Sequence, residues 1–320
     1  MLTTEQYGYF CIFSSWLDVI SVFTTLKLAG GVFTQALVKF DKNRDELTAS
    51  TAGLGTTLSL IAMLVYIPLR NFINPLIGMD TLIVLCMITA AWATLMFEFW
   101  ASRQRVEYRY KPLVALTILT CLAKPFFGIV AVLATQEYKA EARIISLVLV
   151  ELLLYTGLFV TFIKKGKTFY NKRFLKYSLS LNLPLIPHYL TRTVLNQCDR
   201  IMINAMLGYS SAGIYSLAYN LATMLNLATT SILNAFNPWM YQRIKKEEYD
   251  KIGPTSYSLL GAVAFIALGL ISIAPELVQV FAPAEYYEAI WVIPPVTAGI
   301  YFLFMYSLYA NFEFYFEKTK

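Results

Sequence analysis

The stretch from Leu47 to Leu69, LTASTAGLGTTLSLIAMLVYIPL, carries no charged side chain along its whole length. A helix needs roughly 20 apolar residues to cross the hydrocarbon core of a bilayer, where the backbone must satisfy its own polar groups. This stretch meets that length. Working outward from it, Thr81 to Phe97 and Ala289 to Phe312 are equally free of charge. Mostly apolar stretches occupy residues 9–38, 50–70, 80–101, 112–134, 142–163, 177–207, 212–242, 255–277 and 287–312. The pattern predicts an all-α polytopic membrane protein with about nine transmembrane helices. A composition of 58% hydrophobic and 14% charged residues, with mean hydropathy +0.56, excludes an ordinary soluble domain. The short gaps leave no room for a water-exposed enzyme domain.

Positive charge falls in alternate gaps. Lys39, Lys42 and Arg44 fill the first gap, and Arg103, Arg105, Arg109 and Lys111 the third. Lys164, Lys165, Lys167, Lys172, Arg173 and Lys176 fill the fifth, and Arg243, Lys245, Lys246 and Lys251 the seventh. Lys318 and Lys320 follow the last span, while the intervening gaps hold only Arg70, Lys139 and Arg143. By the positive-inside rule the charged gaps face the cytoplasm, so this chain's amino terminus is expected outside and its carboxyl terminus in the cytoplasm. Topology therefore accounts for the net charge of +6. The basic residues are scattered over short segments and form no domain that could grip nucleic acid. Cys11, Cys86, Cys121 and Cys198 all fall within spans, without CxxC or Cys/His spacing, and read as buried single thiols. No metal site, cofactor motif or catalytic motif is present, and the polar Met1 to Gly8 segment does not resemble a signal peptide.

The span pattern repeats. A shift of about 205 residues carries the span at 9–38 onto 214–243, 50–70 onto 255–275 and 80–101 onto 285–306, with their charged gaps. Parallel repeats of this kind build secondary transporters. The offset predicts two lobes, residues 1–170 and 171–320, in a six-plus-six protein of which this chain lacks one span in front and two behind.

Charges inside spans are costly in lipid and face a partner or a watery cavity. The candidates are Asp18, Lys27, Lys124, Glu151, His188, Arg192, Asp199 and Arg200. His188, Arg192 and Asp199 lie at i, i+4 and i+11, within about 40° of one another on a helix wheel. Pro184 and Pro187 just before them are expected to loosen the helix. Either Asp199 neutralises an Arg in a structural network, or an Arg faces a cavity, where its planar fork suits a lipid phosphate. Lys124 precedes Pro125, a combination that predicts a broken helix with a mid-membrane cation. Lys27 supplies a second cation or snorkels to the interface. Asp18 lies nine residues earlier, close to the opposite helix face, and is a poor partner for it. Glu151 and Asp18 are candidates for a coupling ion, and Glu151 could equally pair with a cation. His188 is the only histidine, which excludes multi-His metal chemistry. Tyr215, Tyr219 and Tyr301 are candidates to stack on sugar rings.

Several motifs together carry a resemblance. Leu2-Thr3-Thr4-Glu5-Gln6-Tyr7-Gly8 with Ser15-Trp16, Leu183-Pro184-Leu185-Ile186-Pro187-His188, Cys198-Asp199-Arg200-Ile201-Met202-Ile203 and Gly213-Ile214-Tyr215-Ser216 resemble bacterial polysaccharide transporters of the O-antigen flippase type. That family shares a superfamily with multidrug exporters and peptidoglycan-precursor flippases. The resemblance implies lobes of six helices around a cavity that opens alternately to the two faces of the bacterial inner membrane. It implies an undecaprenyl-diphosphate-linked oligosaccharide as cargo, a proton or sodium ion as driver, and other polysaccharide-assembly proteins as partners. Lys27 and Lys124 from one lobe, with Arg192 and Arg200 from the other, are then expected to hold the diphosphate. A cation-coupled multidrug exporter and a membrane-embedded oligosaccharide polymerase are the alternatives. The first should favour an acidic, aromatic cavity, and the second a large outside loop.

Overall fold

Thr3 starts the first helix with a capping box: its hydroxyl accepts from the Gln6 N–H at 3.2 Å, and the Gln6 side chain accepts from the Thr3 N–H at 3.2 Å. A computed structural model describes residues 2–315, so Lys318 and Lys320 lie outside the described residues. Among the described residues twelve α-helices follow in order: α1 Thr4–Thr25, α2 Gly31–Lys39, α3 Arg44–Ile77, α4 Thr81–Val106, α5 Tyr110–Ala134 and α6 Lys139–Gly166 come first. Then come α7 Lys172–Asn182, α8 Ile186–Ala222, α9 Met224–Lys245, α10 Ile252–Ser272, α11 Ala274–Phe281 and α12 Ala289–Tyr315. Among the described residues, seven segments are long and apolar enough to cross a membrane: Thr4–Thr25, Asp41–Ile77, Thr81–Val106, Tyr110–Ala134, Lys139–Gly166, Tyr249–Ser272 and Ala289–Phe312. The protein is a polytopic helical membrane protein.

Three expected spans take a different form. The span at 9–38 is two helices, because Leu26 and Lys27 adopt the left-handed conformation, with φ of 48° and 46°, and end α1. The stretch at 177–207 is α7, a 3-10 turn at Leu183–Leu185 and the first part of α8. Pro184 lies in that turn and Pro187 in the first turn of α8, both places where a missing N–H is tolerated. The stretch at 212–242 is the rest of α8 followed by α9. Gly208 interrupts α8 with φ 83° and ψ 177°, a backbone conformation open essentially to glycine alone. By contrast, α5 runs straight through Pro125, so the break expected at Lys124-Pro125 is absent.

The chain divides into two compact units, residues 1–209 and 210–320. In the first, α4 packs against α1, α2, α3, α5 and α6. Leu37, Leu47, Ala52, Ala93, Met96, Phe99, Tyr155 and Phe174 form its core. Small residues let these helices approach closely. A Cβ on Gly166 would stand 2.3 Å from the Ala49 Cβ and 2.5 Å from the Asp45 carbonyl oxygen, and one on Gly53 only 2.4 Å from the Phe169 carbonyl oxygen. Arg103, at the end of α4, ties this region by donating to Asp45 at 2.6 Å and Glu107 at 2.7 Å. In the second unit α9, α10 and α12 pack together around Phe236, Met240, Val263, Ala267, Ile300 and Phe304.

The repeat is visible in the helix boundaries. The start of α1 at Thr4 answers the break at Gly208, α3 answers α10 with α11, and α4 answers α12, each at about the same 205-residue offset.

Candidate functional site

The break after α1 aims Lys27 into a cavity of about 580 Å³ inside the first unit. α4 contributes Thr94, Phe97, Glu98 and Arg105, α5 contributes Thr120, Cys121 and Lys124, and α6 contributes Glu151 and Tyr155. Tyr189 of α8 closes one side, approaching so near Gly30 that a Cβ there would lie 3.0 Å from its hydroxyl.

Lys124 and Glu151 form a hydrogen-bonded ion pair across α5 and α6. The Glu151 side chain is 5% exposed and that of Lys124 is 31% exposed, so the acid is embedded while the ammonium borders the cavity. Burial of a carboxylate in apolar protein requires such a partner. Tyr155 donates to the Thr120 hydroxyl at 3.2 Å, and its ring stacks on Phe97 with centroids 4.9 Å apart and 24° between planes. An aromatic wall thus faces the charged one.

The charge of Lys27 acts on both Asp18 and Glu98, and that of Arg105 on Glu98. Asp18 and Lys27 would face away from each other on one continuous helix, but the break at Leu26 brings the charge of Lys27 within reach of Asp18. Asp18 also accepts from the Gln197 amide at 2.7 Å and feels the charge of Arg200, so α8 is drawn toward α1. Asp199 accepts from the Arg200 backbone N–H at 2.8 Å and is half-buried. His188 and Arg192 are exposed, and neither is among the residues lining the cavity. The His188 ring lies 6.0 Å from that of Tyr189. Arg192 and Arg200 precede Gly208 and fall in the same compact unit as Lys27 and Lys124. In the second unit Tyr215 and Tyr219 sit 6.0 Å apart, and Tyr301 packs on the core.

Sequence reading overlooks Glu98, Arg105, Phe97, Tyr155 and Tyr189. Glu98 lies inside the expected span at 80–101 and was legible there as an intramembrane charge. Arg105 reads as a gap residue, but α4 continues to Val106 and carries it back to the cavity. Cys121 is exposed rather than buried, because α5 packs mainly on α6 and leaves its other faces open.

Three comparisons bear on this architecture. The structure resembles the inward-facing conformation of a multidrug resistance MATE family transporter of the MOP superfamily, with a TM-score of 0.63 over 99% of this chain and 82% of that one, at 11% identity. The chain is 27% identical over 213 residues to the Lsg locus putative protein 1 of Haemophilus influenzae, covering 60% of this chain and 51% of that protein. This chain's match thus spans about half the length of that curated relative. Residues 1–291 match the polysaccharide biosynthesis protein family. With that match over most of its length, the chain belongs to the polysaccharide biosynthesis protein family.

Proposed function

We propose that this protein is a flippase that carries undecaprenyl-diphosphate-linked oligosaccharide units from the cytoplasmic to the outer leaflet of the bacterial inner membrane, by alternating access. The observation that supports this reading is a charged, aromatic-walled cavity inside a bundle of membrane helices. Moving a diphosphate and several sugars across about 30 Å of hydrocarbon is prohibitive without a polar path, while the prenyl tail can stay in lipid. Lys27, Arg105 and Lys124 offer donors to phosphoryl oxygens, and an arriving diphosphate would compete with Glu98 and Glu151 for them. Phe97, Tyr155 and Tyr189 offer ring faces and hydroxyls to sugars. Arg200 and Arg192 of α8 are further cations for the headgroup. Glu151 and Asp18 are the carboxylates that would take a coupling proton or sodium ion. The carriers' makers on the cytoplasmic face and the polymerising proteins outside would be its partners.

The test is reconstitution in liposomes with a lipid-linked oligosaccharide, following its accessibility to an added sugar-cleaving enzyme. Accessibility beyond that in empty liposomes is the expected outcome. Folded protein that leaves the sugar inaccessible under an imposed proton or sodium gradient would overturn the proposal. A second reading, export of organic cations, draws on the acids Glu98 and Glu151 beside the same aromatic wall. In that case the liposomes would move a fluorescent cationic dye and not the glycolipid.

A further inference from the structure

A separate concavity lies where α2 meets α7, a groove of about 630 Å³ lined by Thr34, Gln35, Val38, Lys39 and Tyr177. Its level in the bilayer follows from the neighbouring spans: the Asp41–Ile77 segment begins and the Lys139–Gly166 segment ends beside it in sequence. The groove therefore opens at the water–hydrocarbon boundary, where glycerophospholipid phosphates sit. Its cations are held in place by rings. Lys39 stands 4.7 Å from the Tyr177 ring centroid and 5.9 Å from that of Phe40, and the Arg173 guanidinium lies 5.2 Å from the Phe40 ring. Those rings pack edge-to-face at 5.2 Å, and Phe174 anchors the cluster in the core. Lys172 and Lys176 are exposed on the same short helix. Among the described residues none of Lys39, Lys172, Arg173 and Lys176 forms an ion pair with a carboxylate, although Arg103, Arg109, Arg243 and Lys251 all do. Basic residues could be placed here by topology alone. Topology does not explain an apolar-floored groove, with Val38 63% exposed, beneath cations fixed over aromatic faces.

We infer that the α2–α7 groove binds the headgroup of an anionic phospholipid from the surrounding leaflet. Lys39 and Arg173 meet the diester phosphate, Lys172 and Lys176 add long-range attraction, Thr34 and Gln35 offer polar contacts, and the first acyl carbons lie along Val38. The site is separate from the cavity around Lys124, so it does not rest on the identity of the transported cargo.

A photoactivatable phosphatidylglycerol, in vesicles of phosphatidylcholine with a minor fraction of phosphatidylglycerol, tests this on the unaltered protein. The expected result is crosslinking concentrated in peptides covering residues 34–40 and 172–177, competed by unlabelled phosphatidylglycerol and not by phosphatidylcholine. Replacing Lys39, Arg173 and Lys176 together by Gln should lower that crosslinking at least about tenfold, since each interfacial cation attracts the anionic headgroup. Lys245→Gln with Lys246→Gln, in another basic gap, should leave it unchanged. Crosslinks spread evenly over all basic segments, or labelling equal for phosphatidylcholine, would overturn the inference. Labelling competed only by a polyprenyl diphosphate would overturn it as well, and would mark the groove as a cargo contact.

Discussion

Lys124 and Glu151 show what one buried pair can decide. Glu151 is 4% exposed, so removing its partner strands a carboxylate in low dielectric. Breaking such a pair costs about 3–5 kcal/mol, while replacing both members by apolar residues is often neutral. Lys124→Ala should therefore lower the melting temperature in detergent markedly and abolish flipping. Lys124→Met combined with Glu151→Leu should recover the melting temperature but not the flipping. Transport retained in the double variant would remove this pair from the mechanism. In the sequence, both charges were legible as intramembrane residues, and their pairing was one of two alternatives open for Glu151. Their juxtaposition was not legible, because they stand on different helices whose rotation depends on packing.

At the scale of elements, close approach between helices sets tolerance to change. Gly166→Ala pushes a methyl group into the Ala49 side chain and the Asp45 carbonyl, so α3 and α6 must separate. A loss of about 1–3 kcal/mol is expected. Gly157→Ala, on the same α6 with nothing within 4 Å, should be neutral or slightly stabilising, and paired thermal melts compare the two. The junction of α9 and α10 supplies a pH dependence. Glu248 bonds Lys251 at 3.0 Å and also Arg243, and these hydrogen bonds hold its carboxyl below the usual value of 4.5. Because the folded value is lowered, the stabilisation is complete above the usual value of 4.5, which the unfolded chain keeps, and disappears as pH falls through the lower folded one. Melting curves from pH 7 to 3 should therefore show Glu248→Gln less stable than the unaltered chain at neutral pH, with the difference vanishing in acid. Helix breaks at this scale were partly legible: Pro184 and Pro187 announced theirs. Pro125 announced one that did not form, since a proline can sit in an unbroken membrane helix. Leu26 and Lys27 gave no signal at all, because non-glycine residues in the left-handed conformation are imposed by their surroundings.

At the scale of the whole molecule, the alternation of basic gaps predicts an orientation that can be measured directly. In a chain whose native cysteines are replaced by serine, a single cysteine at Gln136 should react with a membrane-impermeant maleimide in intact cells. One at Lys165 should react only after permeabilisation. The reverse pattern would invert the proposed topology. The sequence by itself determined that this protein is a bundle of membrane helices with a repeat offset of about 205 residues. Hydrophobic length, charge-free runs and alternating basic gaps are properties of contiguous residues, and the bilayer reads them span by span. Only the tertiary structure decided which charges share a cavity. Lys27 enters it through a backbone break, Arg105 through an extra turn of α4, and Tyr189 through the approach of α8 to Gly30. Each depends on side chains from distant segments packing at one place, a physical constraint that no local pattern in the chain records.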